Sequence, residues 1–263
     1  MAKSPQLQTA FTPTSSDEAP AQHVILAADA VHVWRVDLRV AMECVQRLET
    51  TLSSAERGRA VRFRFPEHRE RFTVSHGALR DILSRYLDIP ASELVFEANA
   101  HGKPALALPE HAWLQFNLTH SGDLALVAVT RDRPVGIDVE HKSPPDDPAR
   151  LVAQFFSANE NAAFSALPES QREAAFFAGW TRKEAYIKAL GEGLSTPLDQ
   201  FDVSLAPDRP ARLLTDRLNP DHPNHWSLLD VDPDAIDPEY AAALAIAGPR
   251  PTLTLYRWLP PNP

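Results

Sequence analysis

One cysteine in 263 residues, Cys44, excludes a disulfide framework and any structural zinc site built on thiolates. A lone thiol suits a reducing compartment, and the expected location is the cytoplasm. No run of about 18 apolar residues occurs, so nothing in the sequence reads as a membrane span. Residues 1–22 lack the apolar centre of a signal peptide and are rich in Ser, Thr, Pro and Ala, the composition of a flexible leader outside the fold. Positive charge is in deficit: 26 Lys and Arg against 35 Asp and Glu leave a net charge of −9, which argues against a nucleic-acid binder. Glycine is scarce, nine in all, roughly half the usual share. Neither GxxxxGK[ST] nor GxGxxG is present, so any phosphate must be held largely by side chains. GxSxG, HExxH and CxxC are also missing, which removes the hydrolase elbow, the zinc protease and the thioredoxin site.

What is there, 44% hydrophobic and 23% charged residues, fits one large globular domain or two of about 130 residues. Six arginines (57, 59, 62, 64, 69 and 71) stand against three glutamates between Glu56 and Arg71, a basic patch suited to an anionic ligand or partner. The β-branched alternation of Val24–Leu38 predicts one or two strands. Ser53 or Ser54 caps a helix over 55–63, and Pro66 opens a longer one to about Tyr86. Strands follow near 94–97, 115–119, 124–130 and 135–140; the second-last is apolar throughout, the mark of burial on both faces.

The order of elements then begins again. Ser157-Ala158-Asn159-Glu160 echoes Ser53-Ser54-Ala55-Glu56, Pro168-Glu169 echoes Pro66-Glu67, and at an offset of 103 Arg80-Asp81 and Arg85 fall on Lys183-Glu184 and Lys188. The expected fold is α/β (α+β): two similar, pseudo-symmetric α/β halves, 23–131 and 132–263, with a cleft between them. Four late strands, 201–205, 226–231, 240–247 and 253–258, are expected to form the second half's sheet.

In Val135-Gly136-Ile137-Asp138-Val139-Glu140, strand alternation puts Gly136, Asp138 and Glu140 on one face. Two carboxylates one pleat apart suit magnesium, which completes its shell with water and phosphate oxygens; a half-exposed strand with acidic outer residues gives the same pattern. On the helix ending at Leu190, Glu184 and Lys188 lie at the margin of an apolar stripe and read alone as an i,i+4 pair. Lys183 sits inside that stripe, where an ammonium is costly unless it meets an anion. We therefore place it among the coenzyme-binding residues. Gln115–Asp123 ends a strand in polar side chains, of which Thr119 and His120 can donate to a phosphate oxygen. His101-Gly102-Lys103-Pro104 is a turn presenting a lysine. His222 and His225 have ligand spacing, but Pro223 breaks the helix that such ligation wants.

In chain order, HGKPAL, FNLTHS, VGIDVE and FAGWTRKEAYIKALGEGLS resemble the signature set of the surfactin-type 4′-phosphopantetheinyl transferases, over roughly residues 50–205. The resemblance implies transfer of the 4′-phosphopantetheine arm of coenzyme A to a serine of an apo acyl, peptidyl or aryl carrier protein, with release of adenosine 3′,5′-bisphosphate. It implies Asp138, Glu140 and Glu184 as magnesium ligands, Lys188 at the pyrophosphate and reacting centre, and His120 and Thr119 beside the pyrophosphate. It also implies Arg71 and Lys103, with Gly102 and Pro104 in the same turn, on the 3′-phosphate side of coenzyme A. Thr119 departs from the family's usual serine but keeps the hydroxyl. Glu184 is a metal ligand first and a candidate base second. A cleft complete in one chain predicts a monomer. Fatty-acid, polyketide and non-ribosomal-peptide carriers all present a serine at a helix start, and no code for one of them is visible. The competing readings are a silent module that binds coenzyme A or a carrier, and a magnesium-dependent exonuclease; the latter lacks its further aspartates and basic surface.

Overall fold

The computed structural model describes residues 24–143, 147–206 and 209–260. The expected leader, residues 1–22, lies outside them. The first half runs β1 (Ala30–Asp37), α1 (Met42–Thr51), α2 (Ser54–Ala60), α3 (Pro66–Leu87), the hairpin β2 (Phe96–Ala98) and β3 (Pro104–Leu106), then β4 (Leu114–Ser121) and β5 (Leu124–Arg131). The second runs β6 (Val135–His141), α4 (Pro148–Phe155), α5 (Ala158–Ala166), α6 (Glu169–Leu190), β7 (Phe201–Val203), β8 (Leu213–Asp216), α7 (His222–His225), β9 (Trp226–Asp230), α8 (Pro233–Ile236) and β10 (Tyr240–Ala247). β11 (Thr252–Arg257) follows. No helix among the described residues is long and apolar enough to cross a membrane.

Two sheets form the centre, ordered β11-β1-β5-β4 and β6-β10-β9. Within them β1-β5-β4 and β6-β10-β9 repeat the same antiparallel arrangement. Side-chain alternation sorts the strands into three cores. On β5, Ala125, Val127 and Val129 face α1 and α3, whereas Leu124, Leu126 and Ala128 pack between the sheets against Val31, Val33, Ile137 and Leu244. On β10, Ala243 and Ala245 are small enough for Ala185 and Ala189 of α6 to lie close. The apolar run of β5 is thus buried on both faces, as its sequence requires.

The duplication is visible atom by atom. Ser53/Glu56 and Ser157/Glu160 both form capping boxes, which satisfy the first free N–H groups of α2 and α5. α3 and α6 have 22 residues each and end on a left-handed cap, Asp88 and Gly191. Each capping-box glutamate also reaches a buried cation on the long helix: Glu56 meets Arg80, and Glu160 meets Lys183, both at 2.7 Å. Arg80 then donates to the carbonyls of Ala91 and Leu94, and Lys183 to those of Leu198 and Phe201.

The C-terminus departs from the expected second sheet. β11 pairs in parallel with β1 and so belongs to the first half's sheet. Leu253 and Leu255 pack on the inter-sheet core, and the indole of buried Trp258 donates to Asp81 of α3 at 2.8 Å, which fixes the chain end there. Phe201–Val203 also leaves the main sheet and pairs with β8 as a separate ribbon.

Candidate active site

β4 and β6 are the facing edges of the two sheets, and side chains rather than backbone bonds join them. Asn117, Thr119 and Ser121 share one face of β4. Asn117 Oδ1 accepts from the Ile137 N–H at 2.8 Å, Thr119 donates to Asp138 Oδ1 at 3.2 Å, and Ser121 donates to Glu140 Oε2 at 2.9 Å. The FNLTHS motif is thus a polar ladder that sets the register of the DxE strand. Neither Asn117 nor Ser121 is among the residues the sequence reading assigns to the site; their period-two spacing from Thr119 is the signal that marks them.

The opposite wall is α6, held close by an absence of bulk. A Cβ on Gly136 would fall 2.1 Å from the Ala185 carbonyl oxygen and 2.3 Å from the Ala189 nitrogen, so only glycine admits the helix. The residues flanking those alanines, Glu184 and Lys188, are thereby brought to Asp138 and Glu140. Lys188 Nζ donates to Asp138 Oδ1 at 2.5 Å and to Thr119 Oγ1 at 3.1 Å. Its partner is the carboxylate across the cleft, not Glu184 one turn away.

Asp138 is only 2% exposed, and its second oxygen, Oδ2, is buried without a hydrogen-bond partner. Burial pushes its pKa up to about 7 against the pull of Lys188, with Glu140 and Glu184 adding like charge. Burial likewise raises Glu184. Among the described residues no three acidic, histidine or cysteine side chains already form a metal cage. The donor set nevertheless fits a hard divalent cation: a buried carboxylate with one oxygen unpaired, two further carboxylates acting on it electrostatically, and an ammonium already neutralising the other oxygen.

His120 lies on the other face of β4, exposed, on the side of α3. Partial desolvation, followed by the charges of Lys188, Arg71 and Arg59, lowers its pKa. Arg71 places Nε and Nη2 on Asp123 Oδ1, at 3.0 and 2.6 Å, in the β4–β5 turn. The end of β4 therefore presents Thr119 to the carboxylates and His120 to a cationic flank. Both halves contribute to the site.

Two lysines stand elsewhere than the sequence suggests. Lys183 does meet an anion, but the anion is Glu160; with Leu198 and Phe201 accepting as well, its fully buried ammonium is directed into the second half's core and not toward a ligand. This corrects its assignment to coenzyme binding. Lys103 is turned inward, donating to the carbonyls of Val135 and Ala189 at 3.0 and 3.1 Å. Gly102, at φ +87°, makes the tight turn before it, and Pro104 begins β3. Asn99, which no sequence motif marks, organises that turn through its side chain.

Comparisons with known proteins identify the family. Residues 134–245 match the 4′-phosphopantetheinyl transferase superfamily model, and residues 35–132 match a model described as 4′-phosphopantetheinyl transferase, N-terminal. The chain is 41% identical to 4′-phosphopantetheinyl transferase HetI of Nostoc sp., over 86% of this chain and 91% of that protein. It is 34% identical to 4′-phosphopantetheinyl transferase psf-1 of Bacillus pumilus, over 84% and 89% of the two chains. For 4′-phosphopantetheinyl transferase Sfp of Bacillus subtilis the identity is 28%, over 81% and 90%. With its signature motifs drawn together at one cleft, this chain belongs to the surfactin-type 4′-phosphopantetheinyl transferases and is an enzyme of that activity.

Proposed function

We propose that the cleft between β4, β6 and α6 binds the pyrophosphate of coenzyme A and loads an apo acyl or peptidyl carrier protein in a magnesium-dependent reaction. The carrier's serine oxygen bonds to the β-phosphorus, the bond from that phosphorus to the bridging oxygen breaks, and adenosine 3′,5′-bisphosphate leaves. The observation that carries the reading is the contact of Lys188 with Asp138 and Thr119, beside an unpaired buried carboxylate oxygen.

Asp138, Glu140 and Glu184 would hold the magnesium ion, which when bound supplies positive charge to the phosphate oxygens of the reacting group. Lys188 contributes a second positive charge at the same place, oriented by Thr119. His120 offers a ring nitrogen as a donor to the pyrophosphate. Burial, followed by the charges of Lys188, Arg71 and Arg59, lowers its pKa and so favours the neutral imidazole. Glu184 has the features of a proton acceptor for the serine hydroxyl, since burial raises its pKa toward the working range of a general base. Arg71 and the arginines of α2 form the cationic flank for the remaining phosphates or for an acidic carrier. The complete set of groups lies in one chain, in keeping with a monomer, and the single thiol, Cys44, is free and buried, in keeping with the cytoplasm.

The test is intact-protein mass spectrometry of apo carrier domains from several pathways, incubated with this protein, coenzyme A and magnesium, with a chelator control. A magnesium-dependent gain of one phosphopantetheine on the carrier serine is expected. No gain on any carrier, with coenzyme A still bound, would favour a silent binding module.

A further inference from the structure

The turn at residues 99–103 belongs to the first half, yet its polar side chains reach the second half, at the C-terminal end of α6, the segment just beyond it and the start of β6. Asn99 Nδ2 donates to the Gly191 carbonyl at 2.7 Å, while Asn99 Oδ1 accepts from the N–H groups of His101 and Lys103, both at 2.9 Å. His101 Nδ1 lies 3.2 Å from Ser195 Oγ, just beyond the helix. Lys103 Nζ joins the carbonyl of Ala189, next to Lys188, to the carbonyl of Val135, three residues before Asp138. A helix ends with carbonyls that lack intrahelical partners and with the negative pole of its dipole, so an ammonium and an amide are suited to that place. Gly191 completes the fit: a Cβ there would stand 3.1 Å from both Asn99 Nδ2 and Lys103 Cδ.

We propose that Lys103, supported by Asn99, is a positioning residue: it ties the start of β6 to the end of α6 and so fixes the spacing of Asp138 and Glu140 against Glu184 and Lys188. One ammonium bridges the two elements that carry all four groups, and neither of its acceptors is a ligand atom. This role differs from a contact with the 3′-phosphate of coenzyme A, for which the ammonium would have to leave two backbone carbonyls in a half-buried place. The proposal rests on the assignment of those four groups as the reacting centre, but its structural content, a joint between β6 and α6, stands independently of it.

The experiment compares wild type, Lys103→Met, Asn99→Ala and the double variant. Amide hydrogen exchange reads the joint directly, without turnover. Lys103→Met is expected to speed exchange several-fold in the last turn of α6 and the first residues of β6, with α3 and β5 unchanged. With turnover, Lys103→Met is expected to lower kcat about 10- to 100-fold by displacing the reacting groups. The KM for coenzyme A stays within about twofold, the magnesium concentration for half-maximal rate rises, and the factor is the same for 3′-dephospho-coenzyme A. Asn99→Ala follows the same pattern with a smaller factor, and the double variant loses less than the product of the two, since both act on one joint.

A loss that appears in KM and vanishes with 3′-dephospho-coenzyme A would overturn the proposal in favour of a phosphate contact. Exchange at α6 and β6 that matches wild type would overturn it outright. A wild-type protein that loads no carrier would refute the assigned reaction, while the exchange data would still decide the joint.

Discussion

Gly136→Ala is the sharpest perturbation of the site, because one methyl group meets only backbone. Built on the present backbone, the new Cβ lies 2.1 Å from the Ala185 oxygen, 2.3 Å from the Ala189 nitrogen and 2.9 Å from the Ala189 Cα. Ordinary contact begins near 3.4 Å, so α6 must back away from β6 by roughly 1 Å. No side chain can rotate aside to absorb this. The displaced turn carries Glu184 and Lys188, and Lys188 sits 2.5 Å from Asp138, a contact that a movement of this size would break. A misplacement of about 1 Å at a reacting centre costs on the order of 100-fold in rate, and overpacking costs about 1–3 kcal/mol of stability. The assay is initial rates of carrier loading by mass spectrometry with coenzyme A and magnesium saturating, beside a urea melt to show that the variant is folded. Gly58→Ala is the control: nothing lies within 4 Å of its added Cβ in α2, so it should gain up to about 1 kcal/mol from helix propensity. A folded Gly136→Ala protein with wild-type kcat would refute the argument that helix approach sets the site.

Three further outcomes follow from the same geometry. Lys183→Met should cost about 3–5 kcal/mol in a urea melt, because it strands the buried Glu160 carboxylate, while leaving the KM for coenzyme A unchanged in the folded protein; a raised KM at wild-type stability would return Lys183 to the ligand. Asp138→Asn and Glu184→Gln should each lower turnover at least about 100-fold and raise the magnesium requirement, and wild-type rates from both would sink the metal-site assignment. His32 is buried; Trp34 Nε1 donates to the Tyr86 hydroxyl, and that hydroxyl lies 2.9 Å from His32 Nδ1, where its own proton can go to a neutral ring. Burial lowers its pKa from 6.5 to about 4, so its stabilising contribution is complete above about pH 6.5 and is lost as pH falls toward 4. The stability gap between wild type and His32→Gln should therefore narrow by about 2 kcal/mol from pH 8 to pH 5, and a gap constant with pH would refute the assignment.

What is legible in the sequence and what is not divide along a physical line. Strand alternation puts Asp138 and Glu140 on one face from the chain alone, whereas Thr119 and Lys188 join them only through the resemblance of the motifs to a family. Faces do not name partners across the fold. The apolar stripe of α6 shows that Lys183 needs an anion, but the anion comes from α5, and only packing reveals it. The first half's α1 has no start signal, because its N-cap, Ala41, has no side chain to accept a backbone N–H. Its apolar residues Cys44, Val45 and Leu48 are too few to announce a helix alone. The alternation of β11 identifies a strand correctly, but alternation is blind to which sheet a strand joins. Its place is decided by Trp258 finding Asp81.

The duplicated scaffold also shows how differently the two halves use equivalent positions. At an offset of 103 Asp81 stands for Glu184 and Arg85 for Lys188, and at 104, the offset of the two capping boxes, Trp34 stands for Asp138. In the second half the cation bonds a carboxylate that keeps a buried oxygen unpaired. In the first, the Arg85 guanidinium lies over the Trp34 ring, 5.4 Å from its centroid, and pairs with Asp81 at 2.6 Å, while the Trp258 indole takes the same Asp81 oxygen. Asp81 and Arg85 are thus engaged with each other and with the two tryptophans. With an aromatic ring facing the cation, this part of the first half is hydrophobic core, in which Trp34 and Trp258 are buried. The first half's polar side chains reach the second from the edge: Thr119 from the end of β4 to Asp138, and Lys103 from the turn before β3 to Val135 and Ala189. The asymmetry of the two halves thus follows from what their central strands present to the long-helix cation, a carboxylate on β6 and an aromatic ring on β1.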